Sequence, residues 1–246
     1  MSFIIAVYVG EGIVLASDSR TTYQSMETLP DNQIVRHLGI HATNTTDKTF
    51  VCPNKFGIST CGDASISGMP ITSYIQSFIR EKINTDTKAD EMPKMLIDYF
   101  RNFDPIPNTV FLVAGYDEVE GIFKQVIYRV VVADNHIEKI DTDTQGASWN
   151  GETAVLTRLL QPVGLKNADG SYTPLPDQEV LWNFFTLQDA VDFAKYAVET
   201  TIGTMRFQKV VKTVGNPIDI LVIQPKKDPF WINKKELSLM SHTIDK

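Results

Sequence analysis

Residues 2–20 of the chain read SFIIAVYVGEGIVLASDSR, two apolar runs on either side of one short turn. The first run, Phe3 to Val9, is rich in β-branched residues and stops at Gly10-Glu11-Gly12, and the second covers Ile13 to Ala16. Two such runs around a glycine-containing turn predict a β-hairpin. We therefore expect the chain to begin with a pair of apolar strands.

Beyond this hairpin, the hydrophobic pattern alternates between helix-like and strand-like stretches. Helical spacing covers residues 71–83, 92–100, 154–160 and 187–202, and strand-like runs lie at 49–51, 57–61, 109–114, 122–133, 136–140 and 218–223. Grouped strands and grouped helices favour the α+β class over an alternating βαβ fold. The sequence predicts a single domain over residues 1–246, a four-layer αββα sandwich with two helix pairs outside two facing sheets.

Two segments stand outside this pattern. Residues 21–46 are polar, contain Pro30 and show no clean period, which predicts an insertion loop. Residues 225–246 predict a C-terminal tail, which carries the run Pro229 to Ile232 and then Leu237, Leu239 and Met240. Left exposed, such apolar residues would form the kind of patch that marks an interface.

Composition excludes several classes of protein. The chain has 246 residues, 43% of them apolar and 22% charged, with a net charge of −7. This acidic balance argues against a nucleic-acid partner. No run reaches the 18 apolar residues of a membrane span, so we expect no membrane partner. No basic segment precedes the N-terminal apolar run, so we expect no signal peptide and a cytoplasmic protein. Cys52 and Cys61 lack zinc-site or CxxC spacing, and His37 and His41 lack an accompanying glutamate, so no metal site is predicted.

The N-terminus offers a nucleophile and a base on one residue. Removal of Met1, which a small second residue normally permits, would leave Ser2 with its hydroxyl and a free α-amine. Such an amine has a pKa of roughly 7.7–8.0, so part of it is unprotonated at neutral pH. It can then accept the proton of its own side-chain hydroxyl as a general base. The sequence contains no glycine-rich phosphate loop, HExxH or GxSxG motif that would compete with this reading.

Residues 2–20 resemble the opening of proteasome β-subunits and related bacterial self-compartmentalising peptidases. Ser2 falls on the nucleophile of that family, and Asp18, sixteen residues on, falls on its first-strand aspartate. Lys48, in Asp47-Lys48, corresponds to the catalytic-site lysine, and Gly62 corresponds to the glycine whose N–H forms the oxyanion hole. On these motifs the chain is identified as a member of the proteasome β-subunit-like, bacterial ancestral β-subunit type of N-terminal nucleophile (Ntn) hydrolases.

Other positions match this pattern less well. The segment Trp149 to Gly151 resembles the one that carries a supporting serine beside the nucleophile, which makes Asn150 a candidate site residue. Serine stands at position 2 where the family usually has threonine, and the interval from Asp18 to Lys48 is about twice the usual one. Val211 and Val214 stand where the resemblance implies a second acid and serine, with Thr213 nearby.

The resemblance implies an Ntn-type peptidase that needs no metal or organic cofactor. Ser2 would attack a peptide carbonyl, Asp18 would hold Lys48, and the charge of Lys48 would lower the pKa of the α-amine. A helix starting just after Gly62 would direct N–H groups at the oxyanion. The implied partners are a peptide or unfolded-protein substrate and further copies of the chain in a ring-like homo-oligomer, while an ATPase partner stays open. Two alternatives remain: a catalytically inactive ring or scaffold subunit, and a hydrolase of small amides.

Overall fold

The computed structural model describes residues 2–30, 33–176 and 179–236, and only the backbone of residues 24–28, 34, 36, 38 and 40. The strands in chain order are β1 (Phe3–Val9), β2 (Gly12–Asp18), β3 (Thr21–Thr28), β4 (Ile34–Thr43), β5 (Thr49–Val51), β6 (Gly57–Gly62), β7 (Ser65–Ile66), β8 (Met69–Pro70), β9 (Thr109–Val119), β10 (Ile122–Val131), β11 (His136–Lys139), β12 (Gly146–Gly151), β13 (Gly164–Lys166), β14 (Tyr172–Pro174), β15 (Ile218–Ile223) and β16 (Phe230–Asn233). The helices are α1 (Ile71–Lys82), α2 (Met92–Phe100), α3 (Ala154–Leu160) and α4 (Leu187–Phe207), with a 3-10 turn at Trp182–Phe184.

The predicted N-terminal hairpin is confirmed and lies inside the first large sheet. This sheet has the order β12-β1-β2-β15-β16, and all of its neighbours are antiparallel. Every residue of β1 and β2 is buried. The sequence did not predict strand β12, because its residues GASWNG have neither β-branched side chains nor a clear alternation of polar and apolar residues.

A second antiparallel sheet has the order β11-β10-β9-β6-β5. It packs α1 and α2 against one face, where a core cluster includes Ile75, Phe78, Leu96 and Phe111. The first sheet packs α3 and α4 in the same way. A third cluster joins residues of both sheets. The described residues thus mix four helices with several antiparallel sheets, an arrangement compatible with the predicted α+β class.

The expected loop at residues 21–46 needs correction, because most of it is a β-hairpin. Strands β3 and β4 pair antiparallel, with a shift of register between Tyr23 and Gln24. The ring of Tyr23 stacks on that of His41 at 5.8 Å between centroids. Strand β3 carries mostly polar residues at successive positions, and Arg36 and His37 interrupt the alternation of β4, so the segment shows no clean period in its sequence.

The tail is also more ordered than expected at its start. Strand β16 pairs with β15 and extends the first sheet, and Trp231 packs against the cluster between the sheets. Phe230 and Ile232 remain 40% and 52% exposed. Leu237, Leu239 and Met240 lie outside the described residues. Among the helices of the described chain, none is both long and apolar enough to cross a membrane.

Candidate active site

Asp18 ends strand β2 and is completely buried. One carboxylate oxygen, Oδ1, accepts hydrogen bonds from the backbone N–H of Phe3 at 3.0 Å and from Lys48 Nζ at 2.7 Å. The other, Oδ2, accepts from the backbone N–H of Arg20 at 2.9 Å and of Gly215 at 3.0 Å. A single carboxylate therefore connects β1 and β2 to the segments that carry Lys48 and Gly215.

Lys48 lies directly before strand β5 and is 3% exposed. Its carbonyl accepts a hydrogen bond from Thr60 N at 2.8 Å, which fixes the backbone against β6. Its ammonium group donates to Asp18 and to the carbonyl oxygen of Arg20. Burial lowers the pKa of Lys48, and the charge of Asp18 opposes that shift. The structure thus brings together the two charged residues that the sequence analysis proposed as partners.

Gly62 ends strand β6 with a φ of +119°, a backbone conformation that favours glycine. A Cβ at this position would lie 2.2 Å from the carbonyl oxygen of Asn108, so no other residue fits without a shift of the backbone. The expected helix directly after Gly62 is wrong, because the ribbon of β7 and β8 separates it from the start of α1 at Ile71. The N–H of Ile71 is also engaged, with the carbonyl of Ala64.

A narrow cleft collects most of the candidate residues. Its lining comprises Ser2, Thr21, Thr22, Thr46, Asp47, Lys48, Thr60, Cys61, Gly62, Asp63, Ala64 and Ile71. Ser2 is 6% exposed at one side of it. The serine at position 2, the buried ammonium group of Lys48 and the backbone of Gly62 therefore border the same small space.

Asn150 does not line this cleft. It lies on β12 opposite Ile4 and is 9% exposed, and its side-chain Nδ2 has no hydrogen-bond partner among the described residues. The structure thus places Asn150 on the strand next to the N-terminal one without showing a contact to Ser2.

Two groups of polar contacts at the site do not follow from the sequence pattern. Thr49 Oγ1 bonds to Ser17 Oγ at 2.8 Å and to Ser59 Oγ at 2.9 Å, which joins the two sheets behind the lysine. Glu152 accepts a hydrogen bond from Thr213 Oγ1 at 2.7 Å, and its backbone N–H donates to the carbonyl of Ser2 at 2.8 Å. No linear signal connects Glu152 with a residue 61 positions away.

A larger cavity of about 820 Å³ lies between β12, α3 and the segment before α4. It is lined by residues such as Tyr8, Trp149, Arg158 and Glu179 and includes none of the cleft residues. Within the described residues, no group of three or more His, Cys, Asp and Glu side chains could hold a metal ion.

Comparison with known proteins found solved structures of similar fold. Anbu, an ancestral beta-subunit, from Yersinia bercovieri is 17% identical, with a TM-score of 0.59 over 94% of this chain and 87% of that chain. Anbu from Hyphomicrobium sp. strain MC1 is also 17% identical, with a TM-score of 0.57 over 95% and 88%. A Gly-1 mutant of the latter gives 0.54 over 91% and 82%, at 17% identity. The chain has a proteasome-like fold.

The family assignment made from the motifs needs correction. No family model matches the chain, and no curated protein matches it either. The Anbu structures share only 17% of its residues. What they establish is a shared fold, and membership of the proteasome β-subunit-like family does not follow from it.

Proposed function

We propose that the chain is an N-terminal nucleophile hydrolase that cleaves peptide bonds with Ser2 after removal of Met1. The observation that carries this proposal is the buried ion pair of Asp18 and Lys48 beside the cleft that Ser2 lines. Burying a lysine and a carboxylate costs several kcal/mol per ion unless the pair is well compensated. Because a buried ion pair adds little to stability after this cost, its position beside the hydroxyl of Ser2 supports a catalytic role over a structural one.

The reaction needs only groups of this chain. The α-amine of Ser2 accepts the proton of Ser2 Oγ, and the oxygen attacks the carbonyl carbon of a peptide bond. The charge of Lys48 favours the neutral, basic form of the amine, while Asp18 holds that charge in place. The backbone at Gly62 is proposed to stabilise the tetrahedral oxyanion. The amine then protonates the leaving group, and water hydrolyses the acyl-enzyme, so neither metal nor organic cofactor enters.

The proposed nucleophile is tested by Ser2→Ala, with Ser73→Ala on the exposed face of α1 as the matched control. Intact-mass measurement first establishes whether the purified chain starts at Ser2. Hydrolysis of a mixed library of quenched-fluorescence peptides is then expected to be lost in Ser2→Ala, retained in Ser73→Ala and retained in Ser2→Thr, which keeps the hydroxyl. Peptide cleavage at the wild-type rate by Ser2→Ala would rule out this mechanism.

The same assay separates the proposed peptidase from its alternatives. A hydrolase of small amides would cleave acyl-amide dyes but leave the peptide library intact. A scaffold subunit would cleave neither substrate even with Ser2 at the terminus. The complete charged pair favours an active hydrolase over a scaffold subunit, and the two substrates separate the peptidase from the hydrolase of small amides.

We also propose that the layers follow the order helix, sheet, sheet, helix, which the core clusters between these elements support.

We further propose that several cytoplasmic copies assemble into a ring-like homo-oligomer. The support for this assembly is a set of exposed apolar side chains outside the cleft. These are Leu165, Tyr172, Leu181, Phe184, Phe207 and Ile232, each at least half exposed. Light scattering at micromolar concentration is expected to give a mass several times 27.6 kDa. A mass of one chain at every concentration would contradict this assembly.

A further inference from the structure

We infer that Glu152 is a positioning residue for the N-terminal nucleophile, an inference that rests on the proposed function. Its backbone N–H donates to the carbonyl oxygen of Ser2 at 2.8 Å. The preceding Gly151 has a φ of +93°, and a Cβ there would lie 1.8 Å from the same oxygen. The turn between β12 and α3 therefore packs against the carbonyl group of Ser2 and leaves no space for a side chain at position 151.

The side chain of Glu152 is held by a second segment of the site. Thr213, which is 5% exposed, donates its hydroxyl to Glu152 Oε1 at 2.7 Å. Two residues on, the N–H of Gly215 donates to Asp18 Oδ2, and Asp18 Oδ1 accepts from the N–H of Phe3. Glu152 thus binds the carbonyl oxygen of the Ser2–Phe3 peptide, and Asp18 binds its N–H. The two acidic residues are linked to each other through residues 213–215.

Of four carboxylates around the cleft, two are paired with lysines and two, Glu152 and Asp63, have only neutral hydrogen-bond donors among the described residues. Asp18 is paired with Lys48, and Asp47 is paired with Lys234 and Lys235. Asp63 accepts a hydrogen bond from the backbone N–H of Asn108 and has no ion pair among the described residues, and the thiol of Cys61 is buried. The described side-chain partner of Glu152 is the neutral hydroxyl of Thr213, so its charge is not cancelled by a cation.

This charge has a use in the proposed reaction. When Ser2 Oγ gives its proton to the α-amine, an ammonium group forms next to Lys48, which repels it. Glu152 is bonded to Ser2 through its backbone N–H, and we expect the charge of its carboxylate to stabilise that ammonium group. Glu152 accepts no proton itself; it orients Ser2 through its backbone and favours the protonated amine through its charge.

The test compares Glu152→Gln with Glu199→Gln, a control on the exposed side of α4. Glutamine keeps the N–H to Ser2 and an oxygen for Thr213 but loses the charge. We expect Glu152→Gln to lower kcat roughly tenfold with little change in KM, and to move the acid limb of the pH profile down by about one unit. Glu152→Asp is expected to recover part of the loss. Thr213→Val should lower kcat without moving the acid limb down, because the charge of Glu152 remains, and Thr213→Ser should behave like the wild type.

A second measurement needs no turnover. Competitive acetylation of the α-amine against pH, followed by mass spectrometry of the N-terminal peptide, gives the pKa of that amine directly. We expect it to fall by about one unit in Glu152→Gln and to stay unchanged in Glu199→Gln. If the wild type proves inactive but this shift appears, the proposed function fails and the positioning role stands. An unchanged amine pKa together with an unchanged pH profile would overturn the role of Glu152.

Discussion

Asp18 and Asp219 are both fully buried carboxylates, and they lie almost side by side on neighbouring strands. In the pairing of β15 with β2, Asp18 faces Ile218, and Asp219 faces Ser17. Each is bonded to a lysine ammonium group. Three of the four partners of Asp18, Phe3, Lys48 and Gly215, come from separate segments of the chain. Those of Asp219, Lys234 and Lys235, are consecutive residues after β16.

The two lysine sets differ in their access to water. The side chain of Lys48 is 4% exposed, while those of Lys234 and Lys235 are 26% and 11% exposed and also reach Asp47. If Asp219 is lost, Lys234 and Lys235 can turn to solvent or to Asp47, whereas Lys48 has neither choice if Asp18 is lost. The first pair therefore organises the cleft, and the second fastens the end of the described chain to the sheet.

Replacement of Asp18 should have the largest effect. Asp18→Asn leaves the charge of Lys48 buried without compensation and sets an amide NH₂ against donors such as the N–H groups of Phe3 and Gly215. We expect the free energy of unfolding to fall by about 3–5 kcal/mol and peptide hydrolysis to be lost. Urea unfolding followed by circular dichroism measures the first effect. A loss below about 1 kcal/mol would mean that Lys48 does not depend on this carboxylate.

Replacement of Lys48 tests the chemical half of the comparison. Lys48→Ala removes the charge that keeps the α-amine neutral, and we expect kcat to fall roughly a hundredfold. The control is Lys55→Ala, because Lys55 pairs with Asp228 at 3.0 Å while both side chains are more than half exposed. That variant should keep its activity and lose at most about 1 kcal/mol. Similar rates for the two alanine variants would remove Lys48 from the reaction.

The sequence predicts those parts of the site that short patterns encode. The hairpin that presents Asp18 follows from two apolar runs and a turn, whereas Lys48 and Gly62 follow only from the resemblance to proteasome β-subunits. Sequence patterns could not reveal the contacts of Asp219 with Lys235 or of Glu152 with Thr213, because they join residues that meet only through sheet pairing. The hairpin of β3 and β4 was missed for a different reason: β3 is mostly polar, and Arg36 and His37 interrupt the hydrophobic alternation of β4.

Replacement of Asp219 should affect stability and spare activity. Asp219→Asn keeps an oxygen for the backbone N–H of Lys235, which donates to it at 2.9 Å, and leaves Asp47 as the acid for both lysines. We expect the free energy of unfolding to fall by about 2 kcal/mol, which is less than for Asp18→Asn. Peptide hydrolysis at 25 °C should stay within about twofold of the wild type. A collapse of kcat in a folded Asp219→Asn protein would show that the two carboxylates form one unit.

The smallest expected effect is a change in the reactivity of the two cysteine thiols, one of which lies near the charges of Lys48 and Asp18. Burial raises the pKa of both Cys52 and Cys61 to about 12. At Cys61, the charge of Lys48 lowers the pKa and the charge of Asp18 raises it. Because a raised thiol pKa keeps the native state protonated where the unfolded chain ionises, both residues should lower stability as the pH rises above about 9.

In the native wild-type protein at pH 8, both cysteines should therefore resist iodoacetamide, since the thiolate is the reactive form. Asp18→Asn removes the charge that opposes Lys48, so the pKa of Cys61 should fall and its alkylation should accelerate by about tenfold per unit of pKa. Cys52, whose raised pKa results from burial alone, is the internal control and should not change. Mass spectrometry of the two cysteine peptides measures both rates in one sample. Equal acceleration at both cysteines would indicate opening of the whole fold, and the charge of Asp18 would then have no separate influence on Cys61.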